Sequence, residues 1–357
     1  MASHPNWGRH TTGTEVGQAF DAAIRGKNVV VTGVSPAGIG ATTALAIAAH
    51  GPGHLILASR TREKLEEVLA DINQKYPSVN VSHVLLDLGS LDSVRDASSQ
   101  IEARVGGKLH VLINNAGVND VSRNAKPALD GTLVDRQFFV NHLGPFLLTS
   151  LLLPLLKNAA TAEGTPKGSV RVVNVSSHGH RLSPIRFSDL ALQKPAADES
   201  VPEAERPPAT AAPFLTRITD PEGAYPGFVG YGQSKCANVL HASELSRRLF
   251  KDVGILALSV HPGSIETELS RSLDEKARED MRNTAPKHLW KSLDAGASTT
   301  LVAAFDPALA GLDVGGEVLG YLADCQIADE LAAPHAKDKE AGRRLWEMST
   351  KMLGIQA

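Results

Sequence analysis

The chain has 357 residues, of which 42% are hydrophobic and 21% charged, and its net charge of −3 gives no electrostatic basis for binding nucleic acid or an anionic membrane. Two cysteines cannot build a disulfide framework or a cysteine-rich metal site, and residues 1–20 lack the apolar core of a signal peptide. We therefore expect a soluble, cytoplasmic protein.

Short β-branched stretches alternate with longer helical patterns between Lys27 and about Gly263. Apolar strands that alternate with helices are typical of a parallel sheet covered on both faces. The pattern predicts an α/β fold, a doubly wound sheet whose ligands bind beyond the carboxyl ends of the strands. The predicted strands are 27–33, 54–60, 81–88, 109–117, 169–177 and 254–263, with 316–322 as a further candidate, and helices are predicted over 38–50 and 61–76.

Three stretches depart from this alternation. We interpret residues 1–26 as an N-terminal extension of a single domain that spans 27–357. The Leu-rich run Phe146–Leu156 has 11 residues, whereas a membrane-spanning helix needs about 20, so we expect a buried helix and no transmembrane segment. Residues 193–213 carry five prolines and few apolar side chains, which favours an exposed insertion without strand or helix.

A glycine-rich turn follows the first predicted strand. Gly33, Gly38 and Gly40 stand between that strand and a helix, with Ser35 and Ile39 beside them. Glycines at such a turn let the backbone approach a phosphate, which the positive end of the helix then stabilises. The position favours a dinucleotide phosphate site, although the same glycines also suit a purely structural turn.

The second predicted strand ends in residues that bear on the choice of cofactor. An acidic residue there would bind the free 2′-hydroxyl of NAD(H). This chain has Ser59 and Arg60, followed by Arg62, and a hydroxyl beside guanidinium groups suits the 2′-phosphate of NADP(H). NADP(H) is the predicted cofactor, and NAD(H) is the alternative if the arginines are merely solvated residues at the start of a helix.

A tyrosine and a lysine stand four residues apart in YGQSK. On a helix, Tyr231 and Lys235 share a face. A phenol is a poor base at neutral pH, but an ammonium at ~4 Å would stabilise the phenolate by about 4 kcal/mol and bring the pKa of Tyr231 close to 7. That is the range in which a general acid or base works best. The alternative is an uncoupled pair on a helix surface.

Further polar residues follow two other strands. Ser176 and Ser177 end one strand, and either hydroxyl could bind a substrate oxygen. Asn141 precedes the apolar helix, and taken singly each of these residues is more often a cap or a turn residue. His178 and His180 lack the cysteine or acidic partners that would complete a metal site, so we predict no metal.

Together these motifs resemble those of the short-chain dehydrogenase/reductase family over about 27–352, which implies a Rossmann-type fold. TGVSPAGIG resembles the family's glycine turn, NNAG its sheet motif, YGQSK its YxxxK pair and HPGSIET its PGxxxT segment. The resemblance implies a tetrad of catalytic residues: Asn141, Ser177, Tyr231 and Lys235. It implies cofactor contacts at Gly33, Ser35, Gly38, Ile39, Gly40, Ser59, Arg60, Asp87, Leu88, Asn115, Ala116, Gly117, Tyr231, Lys235, Pro262, Gly263, Ile265 and Thr267.

The sequence also resembles the retinol-dehydrogenase and WW-domain-oxidoreductase branch, which implies an apolar carbonyl or alcohol substrate. Residues 266–295 are then expected to cover the substrate, and a homodimer is the expected assembly. Two departures stand out: the glycine turn is one residue longer than usual, and Ser177 and Tyr231 lie far apart in sequence. Alternatives are a reductase of imines or activated C=C bonds, and a non-catalytic NADP-binding sensor or scaffold.

Overall fold

The protein consists of a β-sheet with helices on both faces. The computed structural model describes residues 1–119, 125–128, 130–195, 198–211, 227–267, 269, 287–314 and 316–355. The strands are β1 (Asn28–Thr32), β2 (His54–Ser59), β3 (Val81–Leu85), β4 (Val111–Asn114), β5 (Ala125–Pro127), β6 (Leu133–Asp135), β7 (Val170–Val175), β8 (Ile255–His261), β9 (Tyr321–Ala323) and β10 (Gln326–Ile327). Eight of them pair in the order β3-β2-β1-β4-β7-β8-β9-β10, and all neighbours are parallel except β9 and β10. Strands β5 and β6 pair separately.

The predicted doubly wound fold is confirmed. Each of the six predicted strands is present, with somewhat shorter bounds, and only the end of 316–322 becomes a strand, since β9 begins at Tyr321. The helices are α1 (Gly13–Ala19), α2 (Asp21–Ile24), α3 (Ile39–Ala48), α4 (Arg62–Lys75), α5 (Leu91–Glu102), α6 (Arg136–Phe138), α7 (Gly144–Ala160), α8 (Gly227–Val253), α9 (Leu293–Phe305) and α10 (Lys339–Met352).

Alternate side chains of each central strand enter two different apolar cores. Val30 of β1 packs in one core with residues of α5, α7, α8 and α10. Val29 and Val31 pack in the other core with residues of α1, α3, α4 and α9. Because side chains alternate across a strand, a strand that is apolar at every position must be covered on both faces.

Residues 1–26 pack into this second core. Val16, Phe20 and Ile24 are fully or almost fully buried there, and the hydroxyl and backbone N–H of Ser3 both donate to the carboxylate of Asp306. The position Lys27, where the sequence suggests that the domain begins, is therefore not a boundary in packing. Helices α1 and α2 carry apolar residues at helical spacing, which is the sequence signal of helices that pack against a core.

A long apolar helix lies under the sheet. Residues Arg136–Ala160 are long and apolar enough to cross a membrane, but 78% of the most apolar window is buried within the protein. Its Leu-rich part is α7, whose side chains fill the first core. One π-helical turn, Phe139–Leu143, connects α6 to α7.

The proline-rich stretch is more ordered and more buried than its composition suggests. It contains short 3₁₀ turns at Glu203–Glu205 and Ala209–Ala211, and Val201 is fully buried. The Glu205 carboxylate accepts a hydrogen bond from the backbone N–H of Ser188 at 2.8 Å, which ties the stretch to the domain. In the expected substrate-covering stretch 266–295, residues 268 and 270–286 lie outside the described residues.

We predict that Ile24→Ala will lower the free energy of unfolding by about 2–5 kcal/mol, because it opens a cavity in a closed apolar core. Gln18→Ala, at an exposed position of α1, should change it by less than about 0.5 kcal/mol. Urea denaturation of both variants measures the difference. Equal effects would show that the N-terminal helices do not contribute to the core.

Candidate active site

A cleft opens at the carboxyl ends of the strands, where the strand order reverses between β1 and β4. Its volume is about 370 Å³. Most of the residues singled out from the sequence line it, but Gly40, Arg62, Asp87, Asn141, His178 and His180 do not. Those that line it are Gly33, Ser35, Gly38, Ile39, Ser59, Arg60, Leu88, Asn115, Ala116, Gly117, Ser176, Ser177, Tyr231, Lys235, Pro262, Gly263, Ile265 and Thr267.

The glycine turn packs tightly against the loop after β4. Gly33 has φ +72°, and a Cβ atom there would lie 2.5 Å from the Cα of Ala116. A Cβ on Gly40 would lie 2.6 Å from the carbonyl oxygen of Gly33. The turn thus needs glycine at both positions, and its extra residue is accommodated at Ala37, which is exposed and has φ +53°.

The turn also suits a phosphate. Helix α3 begins at Ile39, and its N-cap Gly38 provides no side-chain hydrogen bond to the first backbone N–H groups. Unpaired N–H groups at a helix N-terminus bind anions. The residues present therefore fit the pyrophosphate of a dinucleotide.

Cations line the wall formed by β2 and α4. Ser59 and Arg60 reach the cleft together with Thr61 and Lys64, whereas Arg62 approaches Glu66 on the exposed side of α4, at 3.9 Å. Sequence reasoning missed Lys64, because Arg60 precedes α4, which begins at Arg62, and helix spacing therefore does not relate the two side chains.

Asp87 shapes the turn after β3 instead of lining the cleft. Its carboxylate accepts a hydrogen bond from the backbone N–H of Gly89 at 2.9 Å, and its own N–H donates to the hydroxyl of Ser93 at 2.9 Å. The neighbouring Leu88 lines the cleft. Asp87 therefore fixes the backbone of the turn that contains Leu88.

Ser177 and Tyr231 meet at the opposite wall. The Ser177 hydroxyl lies beside the phenol of Tyr231, whose pKa it lowers through hydrogen bonding, and Ser177 Oγ accepts from the backbone N–H of Gly179 at 3.0 Å. The other serine of the pair is occupied elsewhere, since Ser176 Oγ donates to the backbone carbonyl of Lys235 at 2.7 Å. Only Ser177 presents its hydroxyl to the phenol.

Burial dominates the electrostatics of Tyr231 and Lys235. It raises the pKa of Tyr231, with a smaller opposing effect from the Ser177 hydrogen bond, and it lowers the pKa of Lys235 to about 8. The Nζ atom of Lys235 lies 5.7 Å from the centre of the Tyr231 ring and donates to the carbonyl of Val175 at 2.9 Å. The expected fall of the Tyr231 pKa to near 7 is thus not met in this structure, because desolvation outweighs attraction at that distance.

Glycine at position 179 makes room for the phenol. A Cβ atom there would lie 2.6 Å from Cε1 of Tyr231. The next residue, His180, accepts from the backbone N–H of Ala333 at 3.0 Å through Nε2, and its Nδ1 lies 2.7 Å from the carbonyl of Ser177. His180 therefore anchors the Ser177 segment, a role that the sequence alone does not indicate.

Asn141 lies behind the cleft wall and holds a loop. Its Oδ1 accepts from the N–H of Val118 at 2.8 Å, and its Nδ2 donates to the carbonyl of Val118 at 2.9 Å. The same Nδ2 donates to Ser234 Oγ at 2.9 Å. Asn141 thereby joins the loop after β4 to the helix that carries Tyr231 and Lys235.

The last wall follows β8. Gly263 has φ +106°, and a Cβ there would lie 2.7 Å from Cδ of Lys291. The backbone N–H of Lys291 donates to the carbonyl of Ser264 at 2.8 Å, and its ammonium pairs with Asp324 at 2.6 Å. These contacts hold the PGxxxT segment at the mouth of the cleft.

The lining as a whole is cationic. Among the described residues that line the cleft, none is Asp or Glu, while Arg60, Lys64, Arg136 and Lys235 are basic. Sequence reasoning missed Arg136 because its exposure to the cleft depends on where α6 packs. The apolar part of the lining that it also missed comprises Ala58, Leu86, Val118, Val140, Val175 and Leu269.

Known proteins resemble this chain in sequence and in fold. A family model described as short chain dehydrogenase matches residues 27–188. Human retinol dehydrogenase 13 is 36% identical over 342 residues, 94% of this chain and 87% of the human protein. Short-chain dehydrogenase TIC 32 A, chloroplastic, from Brassica napus is 32% identical over 353 residues, 99% of this chain and 96% of the relative. The NADPH-bound carbonyl reductase from chicken fatty liver matches the fold with TM-score 0.54 and 22% identity, covering 84% and 97% of the two chains.

The tight turn leads to a prediction with a matched control. Gly26 and Gly33 have nearly the same φ, +73° and +72°, but only Gly33 has neighbours that a Cβ would strike. Gly26→Ala should cost about 1 kcal/mol of stability from backbone strain alone. Gly33→Ala should cost roughly 2 kcal/mol more, because atoms must shift. Equal costs in urea denaturation would contradict the packing described for the turn.

Proposed function

This chain belongs to the short-chain dehydrogenase/reductase family, and from that premise we propose that it transfers a hydride between NADP(H) and a carbonyl or alcohol carbon of an apolar small molecule. The observation that carries the proposal is the contact of Ser177 with Tyr231, beside the buried Lys235, at the wall of a cleft that fits a dinucleotide. The cofactor supplies or accepts the hydride when bound.

Tyr231 passes the proton to or from the substrate oxygen. Its phenol lies beside Ser177, whose Oγ is fixed by the N–H of Gly179, so the serine hydroxyl is oriented before substrate arrives. Lys235, with a pKa of about 8, is mostly protonated at neutral pH. Its charge stabilises the phenolate that forms as the proton leaves Tyr231.

The adenosine end supports a preference for NADP(H). Arg60 and Lys64 place two positive charges in the cleft beside the hydroxyl of Ser59, and the described lining has no acidic residue that would repel a phosphate. Guanidinium groups bind phosphates by charge-assisted hydrogen bonds. The NADPH named for the chicken carbonyl reductase structure agrees with this preference. NAD(H) is the weaker alternative.

The substrate end supports an apolar substrate. Val118, Val140 and Leu269 line the cleft and offer no charge to a ligand. The relative named retinol dehydrogenase 13 agrees with such a substrate.

The proposal includes a cover formed by residues 266–295, a homodimer and a cytoplasmic location, although the Brassica napus relative is named as chloroplastic. An enzyme that reduces imines or activated C=C bonds would use the same fold.

We predict that Tyr231→Phe abolishes NADPH-dependent reduction of a panel of apolar aldehydes and ketones, because no proton donor remains at the substrate oxygen. Binding of NADPH, measured by fluorescence titration, should stay within about threefold, since the ring is retained. Tyr76→Phe, at the far end of α4, is the control and should retain full activity. Full turnover in Tyr231→Phe would refute the proposed mechanism.

We also predict that Arg60→Ala and Lys64→Ala each weaken NADPH binding by roughly tenfold or more, the size expected for a lost bond to a charged group. NADH binding should change by less than about threefold, since NADH has no 2′-phosphate. Arg62→Ala is the matched control, because this side chain lies outside the cleft. A parallel loss of NADH affinity would argue against recognition of the 2′-phosphate.

A further inference from the structure

The helical segment that carries Asn141 lacks one backbone N–H donor. In an α-helix the carbonyl of Asn141 would accept from the residue four positions later, which is Pro145 and has no N–H. The chain forms a π-helical turn, Phe139–Leu143, at this point. Because Asn141 is buried, its carbonyl needs another donor to avoid the cost of an unpaired polar group.

Asn238 supplies that donor from the neighbouring helix. Its Nδ2 donates to the carbonyl of Asn141 at 2.9 Å, and its side chain is buried. The backbone carbonyl of Asn238 accepts from Nδ2 of Asn174, at the end of β7, at 3.3 Å. Asn238 lies one turn after Lys235 on α8, so the bond links Asn141 directly to the segment that carries the lysine.

A second bond acts in the same place. The side chain of Asn141 donates to Ser234 Oγ, and Ser234 Oγ donates to the carbonyl of Tyr231 at 2.8 Å. Asn141 is thus held to α8 on both sides of Lys235, through its side chain at Ser234 and through its backbone at Asn238. Its remaining contacts clamp Val118, which lines the cleft.

We propose that Asn238 is a positioning residue for proton transfer: it replaces the helix donor that Pro145 lacks and so fixes Asn141 and the Val118 loop relative to Tyr231 and Lys235. The inference rests on the proposed function, because the geometry that it fixes is that of the proton-transferring groups. Asn238 itself does not line the cleft. Its effect on substrate and cofactor is exerted through Asn141.

The first test removes the donor. Asn238→Ala should lower kcat tenfold or more, since displacements of about 1 Å at a reacting centre have effects of that size. The dissociation constant for NADPH should stay within about threefold. Ser246→Ala is the matched control, because Ser246 is also buried on α8 and bonds to the backbone of Ala257, away from the cleft. The Ser246→Ala variant should be less stable than wild type and keep the wild-type kcat.

The second test uses a residue of the same shape. In Asn238→Asp, a protonated carboxyl can still donate to the carbonyl of Asn141, whereas the carboxylate can only repel it. Burial beside a carbonyl raises the pKa of that carboxyl. The kcat of Asn238→Asp should therefore approach the wild-type value at low pH and fall towards the Asn238→Ala value as pH rises, in a step that wild type does not show.

Several outcomes overturn the inference. It fails if Asn238→Ala retains kcat, if Ser246→Ala loses as much, or if Asn238→Asp follows the wild-type pH profile. Absence of turnover in wild type with every carbonyl substrate would refute the proposed function instead. The crystal structure of Asn238→Ala then decides the inference on its own, since an unshifted Asn141 contradicts it and a displaced Asn141 supports it.

Discussion

The active site depends on one buried charge, the ammonium of Lys235. A cation removed from water is costly unless polar groups surround it, and burial lowers the pKa of this lysine to about 8. The carbonyl of Val175 accepts from it, and the absence of a side chain at Gly117 lets the loop after β4 approach it. At neutral pH the amine is still mostly protonated. The cleft therefore keeps a positive charge beside the phenol of Tyr231, where it would stabilise a phenolate.

The doubly wound sheet gives that charge a rigid frame. The carboxyl ends of β1, β2, β4, β7 and β8 meet at one edge, and each contributes one part of the cleft. Buried polar contacts join the parts, as in the bond from Asn114 at the end of β4 to Asn174 at the end of β7 at 2.9 Å. Because apolar cores cover both faces of these strands, their ends have little freedom to move. Residues that are far apart in sequence therefore keep fixed positions relative to one another within the cleft.

Features set by local chemistry could be predicted from the sequence. The β-branched runs predict the strands, and the glycines after β1 predict a turn that needs a bare backbone. Features that depend on packing between distant segments could not be predicted. The approach of Gly179 to the Tyr231 ring, the exposure of Arg136 to the cleft and the bond from Asn238 to Asn141 all join separate elements. The direction of the Tyr231 pKa shift could not be predicted either. The spacing in YGQSK places Tyr231 and Lys235 on one helix face, but it indicates neither the burial of the phenol nor where the lysine ammonium points.

Both departures from the family pattern leave the reacting groups in place. The extra residue of the glycine turn is accommodated at the exposed Ala37 in a left-handed conformation, at a cost of about 1–2 kcal/mol, while Gly33 keeps its close contact with Ala116. The long stretch between Ser177 and Tyr231 begins after a segment that His180 already anchors to the backbone of Ala333. Ser177 is therefore fixed by contacts that lie outside the later part of this stretch.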